Sequence, residues 1–176
     1  VYAEAGNLLL ESFSAIGLAT ISELIHITGV NSIGTLSGAT SFSPNVTTGV
    51  KIQDQARVVM DNSSFVGMTD GVVLDGGANF RSSALRVFNA QNDGVRIDNV
   101  GTGTIWDCTG CTIEDSTGND LNIQSATAIV SGSGKTSLDK ISIVDGASVY
   151  GTIIDLKEGD EGVNILGELH VGLPDR

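Results

Sequence analysis

Proline is nearly missing, with two residues in a chain of 176. Together with 23 glycines this excludes both collagen and a proline-rich linker. Positive charge is also scarce. Nine Lys and Arg stand against 21 Asp and Glu, a net charge of −12. A surface of that sign repels phosphate, so nucleic acid is not an expected partner. No apolar run reaches the roughly 18 residues that would span a bilayer, and no membrane insertion is expected. The most apolar region, Leu18 to Val30, is broken by Glu23 and His26. A basic start followed by an apolar run is missing too, so no signal peptide is expected. The chain opens Val1-Tyr2-Ala3 without Met, as a fragment or processed product would. Apolar residues make up 40%, enough to build a core, and the length suits one domain.

Cysteine is limited to Cys108 and Cys111, a lone C-x-x-C. A structural zinc needs four ligands, and two distant histidines do not complete the set. No metal and no cofactor are expected. A redox C-x-x-C opens a helix in a βαβ setting, whereas Ile105 and Ile113 on either side read as strand. Two readings stand: small residues in or beside a strand, or a local disulfide.

What the chain does have is a repeat. Val50-Lys51-Ile52, Val72-Val73-Leu74, Val95-Arg96-Ile97, Leu121-Asn122-Ile123, Ile141-Ser142-Ile143 and Val163-Asn164-Ile165 each alternate an apolar, a variable and an apolar residue. The first positions lie 22, 23, 26, 20 and 22 residues apart. Alternation of this kind marks a strand with one buried face, and Val and Ile favour strands. Gly or a polar turn residue precedes each segment, where tolerance of positive φ would explain a corner. Counting back from Val50, Val30 and then Leu8 extend the series to about eight repeats of about 22 residues. A looser apolar cluster precedes each anchor: Phe42, Phe65, Leu85 to Phe88, Cys111 with Ile113, and Ile154 with Leu156. The longest spacing predicts a bulged loop across Gly101 to Gly118.

No convincing amphipathic helix interrupts the strands; Glu11 to Ile27 has the length but is rich in strand formers and contains Gly17. Repeats without helices exclude leucine-rich and ankyrin types, and propeller blades need about twice this length. The remaining architecture is all-β, a solenoid whose coils stack about 4.8 Å apart. Val50, Val72, Val95, Leu121, Ile141 and Val163 should form one internal ladder. Ile52, Leu74, Ile97, Ile123, Ile143 and Ile165 should form the second. The expected organisation is an N-terminal apolar segment at 1–29, serving as first coil or interface, a solenoid at 30–166 and a C-terminal strand and tail at 167–176.

On these Val-x-Ile strands after Asp-Gly and Asn-Asp corners, the sequence resembles the right-handed parallel β-helices of the pectate-lyase-like family. Within that set it is most similar to bacteriophage tailspike and tail-fibre segments. The resemblance implies a right-handed coil, a homotrimer and a place on a virion appendage or extracellular surface. The family also contains polysaccharide lyases, glycosidases and adhesins, so it does not by itself fix an activity.

Several residues are candidates for chemistry. Gln53, Asp75, Asp98 and Gln124 form an outward column, and Asp75 and Asp98 are neighbours on adjacent coils. Two carboxyls about 5 to 5.5 Å apart are the signature of a retaining glycosidase, and their repulsion raises one pKa as an acid catalyst requires. Arg96, on the same face, would neutralise the pair. A second acidic column, Asp70, Asp93, Asn119, Asp139 and Glu161, sits at the corner before each anchor. Short side chains there bond their own backbone in turns; a calcium site is the alternative. Trp106, in an expected loop beside Asp107, is the candidate for glycan contact. Glu114 and Asp115 are expected on the same insertion as a protruding acidic pair. His26 and His170 alternate with apolar neighbours and are expected to face solvent or an interface.

The function expected from these features is that of a structural and recognition module, a β-helical shaft presented for attachment to host-surface polysaccharide. The competing expectation is a polysaccharide-degrading enzyme using Asp75 and Asp98.

Overall fold

The computed structural model describes residues 1–17, 19–98 and 103–124. Beyond these it describes the backbone of strands Ile129–Leu138, Ile141–Ile143, Ser148–Leu156, Val163–Ile165 and Glu168–Val171. Every strand pairing is parallel, and the chain is a β-solenoid. One sheet has eight strands: Tyr2–Glu4, Ile21–Thr28, Val46–Gln53, Asp70–Leu74, Val95–Ile97, Leu121–Ile123, Ile141–Ile143 and Val163–Ile165. The other sheet has two arms. The first arm contains Asn7–Glu11, Ile33–Ser37, Arg57–Asp61, Asn79–Ser83 and Ile105–Thr109. The second contains Ser14–Ile16, Thr40–Phe42, Ser64–Val66, Arg86–Phe88 and Thr112–Glu114. The ten-residue strand Ile129–Leu138 pairs with both arms and joins them.

Both expected ladders are in register. Val50, Val72, Val95, Leu121, Ile141 and Val163 stack in one column, and Ile52, Leu74, Ile97, Ile123, Ile143 and Ile165 in the other. Val50 to Ile123 along both columns is buried. The upstream count needs correction. Val50 pairs with Ile25 and Ile52 with Ile27, while Val30 lies exposed at a corner and Leu8 belongs to the first arm. Strand Tyr2–Glu4 then pairs with His26–Thr28, so residues 1–29 supply strands to the same sheets. The coil count also changes. A coil of three strands recurs about five times, not eight, because from Ile129 onward one long strand replaces the two separate strands of the arms.

Two columns at the corners explain why the chain turns where it does. Between the arms, Ser12, Gly38, Asn62, Ala84 and Gly110 all have positive φ, and the amides of the first four donate to carbonyls of the next coil. One left-handed residue per coil turns the strand without breaking the stack. Immediately before the anchor residues, Gly49 and Gly71 inside their strands and Gly94 just ahead of its own were expected to need positive φ, and none of them has it. Their requirement is close approach. A Cβ on Gly49 or Gly71 would lie 2.5 Å from the next coil's carbonyl oxygen, and one on Gly94 would lie 2.3 Å from Ile113 Cγ2.

The first arm carries an inward column that the sequence did not reveal: Gly34, Val58, Phe80 and Trp106. Phe80 and Trp106 stack with centroids 6.3 Å apart, and Trp106 Nε1 donates to Ser82 Oγ at 2.9 Å. In the second arm Ala15, Ser41, Phe65, Val87 and Ile113 point inward. Phe42 therefore lies one position out of register with Phe65 and is exposed. Cys108 and Cys111 are joined as a disulfide across the corner at Gly110, both buried. Of the two cysteine readings, the local bridge holds. Ile154, Leu156 and His170 lie in strands, but their side chains are outside the described residues, as are Asp139 and Glu161 altogether.

Candidate functional site

The outward face of the eight-stranded sheet holds the carboxylates singled out in the sequence. Strand alternation puts Lys51, Val73, Arg96 and Asn122 outward in one row, with His26 preceding them. Glu23, Thr48 and Asp70 line up along the sheet edge upstream of that row, and Asp93 and Asn119 continue the line.

These two rows are bonded diagonally, each acid to the following coil. Asp70 accepts from Arg96 Nη1 at 2.8 Å, from Asn92 Nδ2 at 2.8 Å and from the Asp93 amide at 3.2 Å. One coil later Asp93 accepts from Asn122 Nδ2 at 2.8 Å and from the Asn119 amide at 2.9 Å. Two coils before Asp70, Glu23 pairs with Lys51 Nζ at 3.2 Å. Asp70 and Asp93 are buried. Asp70 and Asp93 were expected to bond their own turns; they instead clamp the next coil. A carboxylate out of water needs several donors to be stable, and the neighbouring coil supplies the short ones.

Asp75 and Asp98 take the positions expected of them. Asp75 donates its amide to Ile52 O and Asp98 donates to Leu74 O, so they stack one coil apart immediately past the sheet. Asp98 is half-buried and pairs with Arg96 Nε at 2.9 Å. Its pKa is raised above the ordinary value of 3.8. Burial is the main cause, and the charges of Asp75 and Asp70 add to it, against the lowering effect of Arg96. Asp75 Oδ1 is buried without a hydrogen-bond partner among the described residues. The pair can hold a proton at Asp98 beside a second carboxyl. Arg96, bridging Asp70 and Asp98, ties that carboxyl into the stacking network.

The four glycan candidates do not come together. Trp106 is 1% exposed and points into the core, not into a loop. The insertion lies before it: eight positions separate Ile97 from Ile105 where five separate Leu74 from Asn79. Asp107 faces out from the first arm and pairs with Arg81 at 3.4 Å. Glu114 ends a strand on the second arm, stacked after Phe88, and Asp115 is an exposed corner residue with φ of 59°.

Sequence reasoning overlooked the cluster at the first three coils. His26 lies on its strand's outer face with Nδ1 2.9 Å from Glu23 Oε2 and Nε2 2.8 Å from Gln53 Oε1. Tyr2 packs edge-on against its ring at 5.0 Å and is, with Phe42, an exposed aromatic. The register Tyr2 to His26 was the missing signal, since counting from Val30 put Tyr2 on no strand of this sheet. No known protein family, curated protein or solved structure matches the chain.

Proposed function

We propose that the chain is a structural and recognition module: a β-solenoid shaft of a phage tailspike, tail fibre or comparable surface appendage, homotrimeric and displayed on a virion or cell exterior for attachment to host-surface polysaccharide. The observation that carries this reading is the diagonal bonding of Glu23 to Lys51, Asp70 to Arg96 and Asp93 to Asn122. Side chains that would otherwise reach for a ligand are committed to holding one coil on the next, as a load-carrying rod requires. The test is incubation with an array of bacterial surface polysaccharides. Retention of a polysaccharide without release of reducing ends is expected. Failure to retain any would overturn the recognition role.

The enzymatic reading has one observation of its own, the raised pKa of Asp98 beside Asp75. It predicts release of reducing ends that Asp98→Asn abolishes. That result would replace the shaft reading.

A further inference from the structure

The corner that leads from the eight-stranded sheet into the first arm changes length along the solenoid. Six positions separate Ile27 from Ile33, whereas five separate Ile52 from Arg57 and Leu74 from Asn79. A recess of about 180 Å³ lies here, lined by Val30, Gln55, Arg57, Gly77 and Asn79. The longer corner contributes Val30, 62% exposed. Arg57 and Asn79 are exposed partners in register at the start of their strands. Asp54 and Gln55 are consecutive left-handed residues, with φ of 55° and 64°. One coil on, the equivalent positions are Gly76 and Gly77, with φ of 59° and 77°, and the Gln55 amide donates to Gly76 O at 2.9 Å. The later coil thus makes the turn with glycine, which costs nothing sterically and leaves no side chain to fill the recess. Gln55 makes the same turn in a region that long side chains avoid, the kind of local strain that binding sites carry.

Charge singles out the same place. Of the described lysines and arginines, Lys51, Arg81 and Arg96 each pair with a carboxylate. Arg57 and Arg86 have no acidic partner among the described residues, although acids outnumber bases by 21 to 9 in the chain. Of these two, Arg57 lines the recess. The acid nearest to it in sequence, Asp54, is held elsewhere, by Thr28 Oγ1 at 2.7 Å and Gln53 Nε2 at 3.3 Å. We propose that this recess binds one carboxylate-bearing sugar unit, with Arg57 taking the carboxylate and Gln55 and Asn79 the flanking hydroxyls. This rests on the polysaccharide recognition proposed above and names the class of sugar that this corner selects.

A guanidinium presents paired N–H donors that match the two oxygens of a carboxylate. One unpaired cation suits one negative charge, and the surrounding excess of acid opposes phosphate esters and other multiply charged anions. The side-chain amides of Gln55 and Asn79 have no hydrogen-bond partner among the described residues. Each offers donors and an acceptor, which is what a sugar hydroxyl needs on either side of its oxygen. Val30 supplies apolar surface for the C–H face of the ring. A recess of this size takes one ring rather than a run of them, so selection acts on a single acidic unit. The site is separate from the Asp75 and Asp98 pair and needs no bond to be broken.

The experiment is a heteronuclear NMR titration of the full chain with glucuronate, with glucose and with acetate. Glucuronate should give saturable shifts of the Arg57 Nε–H and of the Gln55 and Asn79 side-chain amides. Glucose should move none of them, and acetate should move Arg57 alone, with an affinity about tenfold lower. Arg57→Gln, at an exposed position, should weaken glucuronate binding by about tenfold or more and leave the melting temperature unchanged. Absence of a saturable glucuronate response at these three residues overturns the inference. So does an equal response to glucose, an equal response in Arg57→Gln, or acetate binding as tightly as glucuronate. The polysaccharide array reads recognition separately. Retention confined to neutral polysaccharides overturns the acidic site and keeps the recognition role; a saturable glucuronate response with nothing retained on the array supports the site and overturns that role.

Discussion

Replacing Asp93 by Ala tests whether the corner acids hold the coils together. The carboxylate accepts two short bonds from the next coil, at 2.8 Å from Asn122 Nδ2 and 2.9 Å from the Asn119 amide, and a longer one of 3.3 Å from Asn119 Nδ2. A hydrogen bond to a charged group contributes about 1.5–3 kcal/mol net. Asn119 and Asn122 are half-buried, so water recovers part of what their donors lose and the low end of that range applies. Two good bonds then amount to about 3 kcal/mol. For a chain of this size each kcal/mol moves the melting temperature by about 2–4 °C, so a fall of about 6–12 °C is expected. Asp93→Asn keeps an oxygen for the Asn119 amide but turns an NH2 toward Asn122, and should lose about half as much. Glu11→Ala, on an exposed position, serves as the control and should stay within about 0.5 kcal/mol of wild type. Guanidinium unfolding followed by far-UV circular dichroism measures all three. An Asp93→Ala midpoint indistinguishable from the Glu11→Ala midpoint would refute the clamp, leaving Asp93 as an ordinary turn residue.

Three further outcomes are expected. Gly94→Ala places a Cβ 2.3 Å from Ile113 Cγ2 and 2.9 Å from the Asp120 carbonyl; overpacking of that kind costs about 1–3 kcal/mol, and a variant as stable as wild type would show that the column tolerates a side chain. Ile97→Asp, in the middle of the second ladder, buries an unpaired charge, so loss of soluble folded protein or of most β-sheet signal is expected; an unchanged melting temperature would contradict the packing. Asp98 has a folded-state pKa above its ordinary 3.8, so its stabilising contribution is complete below the unfolded value and is lost as pH rises through the folded one. Asp98→Asn should therefore gain stability relative to wild type between pH 3 and pH 7, and a relative loss over that interval in paired denaturation curves would reverse the assigned cause.

Much of the fold was legible because a Val-x-Ile strand must repeat wherever one coil stacks on another. Six anchors gave twelve ladder positions with the correct partners. The count failed upstream, where Ile25 to Val50 spans a longer coil and Val30 offered a false anchor at the expected distance. The first-arm column was illegible for a different reason: Gly34, Val58, Phe80 and Trp106 share an environment but no residue type. A Trp next to an Asp in a stretch of irregular spacing resembled a loop. Only pairing with Phe80 reveals it as core. In the candidate site, the positions of Asp75 and Asp98 followed from register alone. The commitment of Arg96 to Asp70 as well as Asp98 depends on side-chain reach across a coil, which no sequence spacing encodes.

The diagonal polar contacts have a direction. Glu23 comes 28 residues before Lys51, Asp70 comes 26 before Arg96, and Asp93 comes 29 before Asn122. In each case the acceptor is laid down a full coil ahead of its donor. A chain that leaves the ribosome N-terminus first thus shows a waiting carboxylate on its newest coil, and the following coil arrives carrying the matching amide or cation. The order belongs to this column and not to the whole chain: Thr28 donates to Asp54 and Arg81 pairs with Asp107, each donor laid down a coil ahead of its acceptor.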